Sequence, residues 1–162
     1  MGSARLTPLL LVIAAGAVVG AALLSEHVGG LVPCELCLAE RWPYYIILAL
    51  NLIAVLVGNL RLSRLILSLS AIVFLVSAGL GAYHVGVEQH WIVGPTACTG
   101  GETGGAKSIE DLQKMLLQQQ PVRCDEVQWS LFGISLAGWN FLISLALLAF
   151  TASRLRQIGR SA

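Results

Sequence analysis

Four cysteines are the residues best able to do chemistry: Cys34, Cys37, Cys98 and Cys124. Cys34-Glu35-Leu36-Cys37 is a C-x-x-C. Two thiols at this spacing interconvert between a dithiol and a small-ring disulfide, which is strained and relatively oxidising. Such a ring removes little chain entropy, so a static clip is a weak use for it. Structural zinc calls for a second close pair, and Cys98 and Cys124 are 26 positions apart. Haem attachment calls for histidine after the second cysteine, and Leu38 stands there. We therefore expect redox chemistry and no metal ligands. Arg41 follows Cys37 by four residues, the spacing of one helical face. A guanidinium there favours a thiolate or holds an anionic oxygen of a bound acceptor. Cys37 also falls near a helix N-terminus, whose dipole favours a thiolate. Pro43 suits a first helical turn and predicts a helix that begins only near Arg41.

Cys98 and Cys124 lie in one long segment poor in apolar runs. A ring closed between them would constrain the unfolded chain by roughly 3.5 kcal/mol, as a structural staple does. Gly94-Pro95 before Cys98 and the glycine-rich 99–105 after it point elsewhere. A cysteine on so permissive a backbone can present its sulfur to another protein for in-line thiolate attack. Residues 108–120 read as a short amphipathic helix, with Ile109, Leu112, Met115 and Leu116 in one stripe and Pro121 at its end. Lying on a membrane surface or packing on a helix bundle would both suit it.

The elements that must position these residues follow from composition. The chain has 162 residues, of which 56% are hydrophobic and 12% charged, with net charge +1. A soluble domain carries about 25% charge. Disorder is excluded by the apolar segments, and nucleic-acid binding by the lack of basic excess. Uncharged runs occupy about 6–24, 42–60, 65–87 and 131–152, each long enough to cross a bilayer as a helix. The fold class expected is an all-α membrane protein. It would be a four-helix bundle forming one integral domain over 1–162, with outer loops at about 25–41 and 88–130. With both termini cytoplasmic, the inner side holds six arginines and no acid. The outer side holds four basic residues, all nine acids, all four cysteines and all three histidines. This satisfies the positive-inside rule. A cleaved signal peptide is the alternative for the first run, though 19 apolar residues are long for one.

That partition constrains electron flow. No cysteine lies on the inner side or at mid-membrane, so electrons gathered outside need an acceptor reachable from the outer leaflet. A lipid-soluble quinone takes two electrons, as two thiols supply. Arg41, Trp42, Tyr44 and Tyr45 could form its pocket with the end of the third run, where Tyr83, His84, Glu88, His90 and Trp91 cluster. Ordinary interfacial placement is the competing reading for the aromatics.

Cys34-Glu-Leu-Cys37-Leu-Ala-Glu40-Arg41 resembles the C-x-x-C-x-x-E-R signature of the disulfide bond formation protein B (DsbB) family. Residues 83–91 and 124–133 are similar to further segments of that family. The resemblance implies an enzyme of the bacterial inner membrane with its cysteines facing the periplasm. It would reoxidise a DsbA-like periplasmic thiol oxidase and pass electrons to ubiquinone or menaquinone. It further implies that Cys98, paired with Cys124, forms the mixed disulfide with the partner. Cys34 would exchange with that pair, Cys37 would be the thiolate beside the quinone, and Arg41 would contact the quinone. His84, His90 and Glu88 remain candidates near it. Alternatives are a paralogue dedicated to one partner and a non-enzymatic four-span protein with structural disulfides.

Overall fold

A computed structural model describes residues 3–95 and 123–160. The elements run α1 (Ser3–His27), α2 (Glu35–Val57), α3 (Leu60–Glu88), β1 (Ser130–Leu131), β2 (Ile134–Ser135) and α4 (Leu136–Arg160). All four helices are long and apolar enough to cross a membrane. Cys98, the glycine-rich stretch and the helix expected over 108–120 lie outside the described residues.

Several boundaries differ from the sequence expectation: α1 runs Ser3–His27 rather than 6–24, and α3 begins at Leu60 rather than near 65 because Asn59 caps it. α2 begins at Glu35 rather than near Arg41, so Cys37, Glu40 and Arg41 are helical. The cause is local: Cys34 is the N-cap, and its Sγ accepts the Cys37 backbone N–H at 3.2 Å. Pro43 then sits inside the helix, where its lack of an N–H costs one intrahelical bond to Ala39. α4 begins at Leu136 rather than near 131, because residues 130–135 form a small antiparallel hairpin that pairs Ser130 with Ser135 and Leu131 with Ile134. Its two-residue loop, Phe132-Gly133, has φ of 53° and 77°. These are the signs of a mirror-image turn, which matches strand twist.

α3 packs most closely on α4, α1 on α2 and α2 on α3, while α1 and α4 barely meet. Leu11, Ala15, Tyr44, Ile47, Leu67 and Phe74 form the buried centre. Without a hydrophobic drive between helices in lipid, close approach of small residues holds such a bundle together. A Cβ built on Gly81 would lie 3.0 Å from the Phe141 backbone. One turn away, Ser144 Oγ donates to Ser77 Oγ at 2.9 Å.

The ends of the bundle are unlike. At one end, Gly58 closes α2 in the left-handed conformation (φ 68°) and Asn59 Oδ1 caps α3 by accepting from Arg61 N and Leu62 N. Arg154 Nε there donates to Thr7 Oγ1 at 3.1 Å. The six arginines expected to share one side fall at this end, since α1 and α3 start there and α2 and α4 finish there. Cys34, Cys37 and Cys124 occupy the opposite end.

Candidate functional site

Capping places the C-x-x-C. Cys34, as N-cap, and Cys37, three residues into α2, bring their Sγ atoms to 2.8 Å, with Cys34 donating to Cys37. Cys34 is buried and Cys37 half-buried. The hydrogen bond to Cys37 and burial push the Cys34 thiol up to about 12, so Cys34 holds its proton. Cys124 is 1% exposed and packs in one cluster with Cys34 and Val87, against which Leu36, Cys37 and Tyr83 also pack. Three of the four cysteines are thus brought together.

From the pair, a stripe of α2 continues inward at helical spacing through Cys37, Glu40, Arg41 and Tyr44. Glu40 is buried and accepts twice: from His84 Nδ1 at 2.8 Å on Oε1 and from Asn140 Nδ2 at 2.9 Å on Oε2. Two donors on two oxygens suit an acceptor-only carboxylate. That leaves His84 Nε2 toward Cys34 Sγ, 3.7 Å away. Tyr44 Oη donates to Asn140 Oδ1 at 2.6 Å and stands 2.9 Å from Ser144 Oγ. A continuous polar chain therefore leads from Cys34 through His84, Glu40, Asn140, Tyr44 and Ser144 to Ser77. Polar groups inside spanning helices are costly in lipid unless paired, and here each pairs with the next.

On its other side Cys37 borders a largely apolar cavity of about 340 Å³ between α1, α2, α4 and the hairpin. Glu40, Arg41, Tyr44 and Asn140 supply its polar edge. Arg41 Nη1 donates to Glu26 Oε2 of α1 at 2.6 Å, which fixes the guanidinium at the rim. Mostly apolar cavities of this size with a few polar groups at the edge are the usual form of small-molecule sites.

The remaining sequence candidates fall elsewhere. Glu88 accepts from Ser135 Oγ, which also accepts the Gly138 backbone N–H, so Glu88 ties the start of α4 to α3. His90 is exposed beyond α3 with φ of 58° and is not among the residues lining the cavity. Tyr44 lines the cavity, whereas Trp42 is 67% exposed and meets Tyr45 edge-on at 6.1 Å. Beside Cys124, Arg123 grips Asp125 through two hydrogen bonds (3.0 and 2.7 Å) and holds its carboxyl below the usual carboxylate range.

Glu26, Asn140, Ser144 and Ser77 were not singled out in the sequence. A signal existed for three of them, since Ser77, Asn140 and Ser144 are polar residues inside apolar spans, the last two one turn apart. Glu26 carried none, because its partner lies across a loop.

The family model for disulfide bond formation protein DsbB matches residues 4–153. The chain is 30% identical to disulfide bond formation protein B 1 of Pseudomonas aeruginosa, over 93% of this chain and 94% of that protein. It is 31% identical to disulfide bond formation protein B of Verminephrobacter eiseniae, over 91% and 85% of the two chains. An uncharacterized protein of Rickettsia prowazekii, RP370, is 32% identical over 80% and 74%. No solved structure gives a significant match. With the signature residues gathered at one end of four membrane-crossing helices, the chain belongs to the DsbB family of disulfide bond formation proteins.

Proposed function

We propose that this protein is a thiol:quinone oxidoreductase of the bacterial inner membrane. It reoxidises a DsbA-like periplasmic protein and so sustains disulfide formation in exported proteins. The observation that carries this reading is the two-sided setting of the C-x-x-C. Cys34 packs with Cys124, while Cys37 faces the apolar cavity with Arg41 at its rim. The arginine end lies in the cytoplasm, by the positive-inside rule.

Electrons enter by exchange. A partner thiolate attacks the Cys98–Cys124 disulfide, and the partner's second thiol resolves the mixed disulfide, leaving two loop thiols. Those attack Cys34–Cys37 in turn, which restores the loop disulfide and reduces the C-x-x-C. Cys37, Arg41 and Tyr44 at the cavity would hold a quinone, ubiquinone or menaquinone, which would supply the acceptor for two electrons and two protons. Arg41 offers positive charge at the rim, and the apolar walls exclude water. Cys34 donates to Cys37, and His84 stands beside Cys34 with Nε2 3.7 Å from its sulfur.

The test is quinone reduction by purified protein with reduced DsbA-like partner, followed by absorbance across a panel of quinones. Cys37→Ser and Cys98→Ser should each abolish turnover. Turnover surviving either change, or cysteines that stay oxidised under excess reduced partner, would overturn the reading.

A further inference from the structure

We propose that the reduced C-x-x-C and His84 form a three-ligand site for a thiophilic d10 cation, foremost Zn²⁺, and that this site exists only in the dithiol state. The ligand atoms Cys34 Sγ, Cys37 Sγ and His84 Nε2 all lie within 4.8 Å of one another. Tetrahedral zinc, with Zn–S of about 2.3 Å and Zn–N of about 2.0 Å, sets S···N near about 3.5 Å and S···S near about 3.8 Å. The Cys34–His84 separation of 3.7 Å already meets the first value. The sulfurs, at 2.8 Å, must part by about 1 Å, which a rotation of the half-buried Cys37 side chain supplies.

Three features beyond the ligands favour a metal. Glu40 accepts a hydrogen bond from His84 Nδ1–H, which leaves Nε2 to offer its lone pair to a cation between it and the sulfurs, and carboxylate–histidine–zinc triads use this arrangement. Two thiolates and a neutral imidazole balance a divalent cation, so the filled site carries no net charge into a buried setting. The neighbouring guanidinium of Arg41 is already paired with Glu26, which blunts its repulsion of a cation. A C-x-x-C with no second close pair argues against zinc in the linear sequence; α3 supplies the third ligand 47 positions downstream of Cys37.

Binding releases up to two thiol protons and changes no oxidation state. The disulfide form lacks the thiolates and has no site. A bound cation also occupies both sulfurs, so it withholds the dithiol from any electron acceptor. Zn²⁺ would therefore inhibit by trapping the reduced enzyme. This last consequence rests on the proposed function, while the binding itself does not.

The experiment uses the full chain in detergent with Cys98→Ser and Cys124→Ser, so that loop thiols cannot contribute. Reduced, anaerobic protein is titrated with Zn²⁺ against a chromophoric chelator, and with Cd²⁺ for its thiolate-to-metal absorption band. We expect one equivalent per chain, lost on oxidation and lost in Cys37→Ser. Glu40→Gln should weaken binding by about 10- to 100-fold. His84→Ala should weaken it at least as much, and His84→Cys should restore it. Binding that survives oxidation, binding unchanged in His84→Ala, or no binding by the folded reduced protein would each overturn the proposal. Because the readout is optical and needs no quinone, failure of the quinone assay leaves this result intact.

Discussion

Gly81 offers the sharpest test of how the bundle is held. A methyl added there would stand 3.0 Å from Phe141 Cα and N and 3.1 Å from its Cβ. Those are backbone atoms of a neighbouring helix, so they cannot swing aside. Ordinary van der Waals contact requires α3 and α4 to part by several tenths of an ångström. Overpacking of this kind costs about 1–3 kcal/mol. The same parting stretches the Ser144–Ser77 hydrogen bond, now 2.9 Å, and its loss adds about 0.5–1.5 kcal/mol. Gly81→Ala should therefore destabilise the fold by roughly 1.5–4.5 kcal/mol, a large share of the 5–15 kcal/mol typical of proteins. Gly79, two residues away on the same helix, is the control, since its added methyl meets nothing within 4 Å. Gly79→Ala should be neutral or stabilise by up to about 1 kcal/mol through helix propensity. Reversible unfolding in mixed micelles with increasing SDS, followed by far-UV circular dichroism, measures both. The reasoning fails if Gly81→Ala lies within about 0.5 kcal/mol of the parent, or if the two alanines have the same effect.

Other expectations concern the site. Glu40→Gln keeps the shape and lets Asn140 rotate its amide to stay paired, so only the charge assistance is lost. About 1 kcal/mol, or roughly 5-fold, should disappear from single-turnover quinone reduction. Glu40→Leu strands the His84 Nδ1 and Asn140 Nδ2 donors and should cost more than ten times as much rate. Ala22→Phe projects from α1 into the cavity and should raise the KM for quinone at least 10-fold. It should leave disulfide exchange with the partner, measured by thiol trapping, unchanged. In metal-free reduced protein the Cys34 thiol, pushed up to about 12, should resist a small alkylating reagent at pH 9–10 in peptide mapping by mass spectrometry. An alkylation midpoint near its ordinary value of 9.0 would contradict the thiol hydrogen bond from Cys34 to Cys37 and the burial of Cys34. The sign follows: the fold favours the neutral thiol, so this contribution to stability is whole below pH 9 and fades between about 9 and 12.

Much of this architecture was legible in the linear chain. Uncharged runs bounded by charge reveal spanning helices because lipid cannot hydrogen-bond a bare backbone, and that rule needs no tertiary information. The gathering of six arginines at one end, with Cys34, Cys37 and Cys124 at the other, was equally readable, since alternate helix ends share a side. Boundaries were less so. Pro43 argued for a late start to α2, but the Cys34 sulfur caps the helix seven residues earlier, and no propensity scale counts a thiol among good caps. A two-residue hairpin at 130–135 is too short to show a period of two, and its turn places Phe132 at a φ that sequence rules reserve for glycine or asparagine.

What sequence alone determined is the chemistry available: a dithiol at C-x-x-C, two further cysteines, an arginine one turn on, and four helices long and apolar enough to hold them in a membrane. Those depend on residue type and local spacing, and both are properties of the chain as written. Which groups touch was decided only by packing. Of two histidines six positions apart, α3 buries His84 against Cys34 and Glu40 and leaves His90 outside. Asn140 reaches Glu40 across 100 positions, and Glu26 finds Arg41 across a loop. These contacts arise because helices meet along faces set by their rotation and crossing, and rotation depends on every small residue at the interfaces.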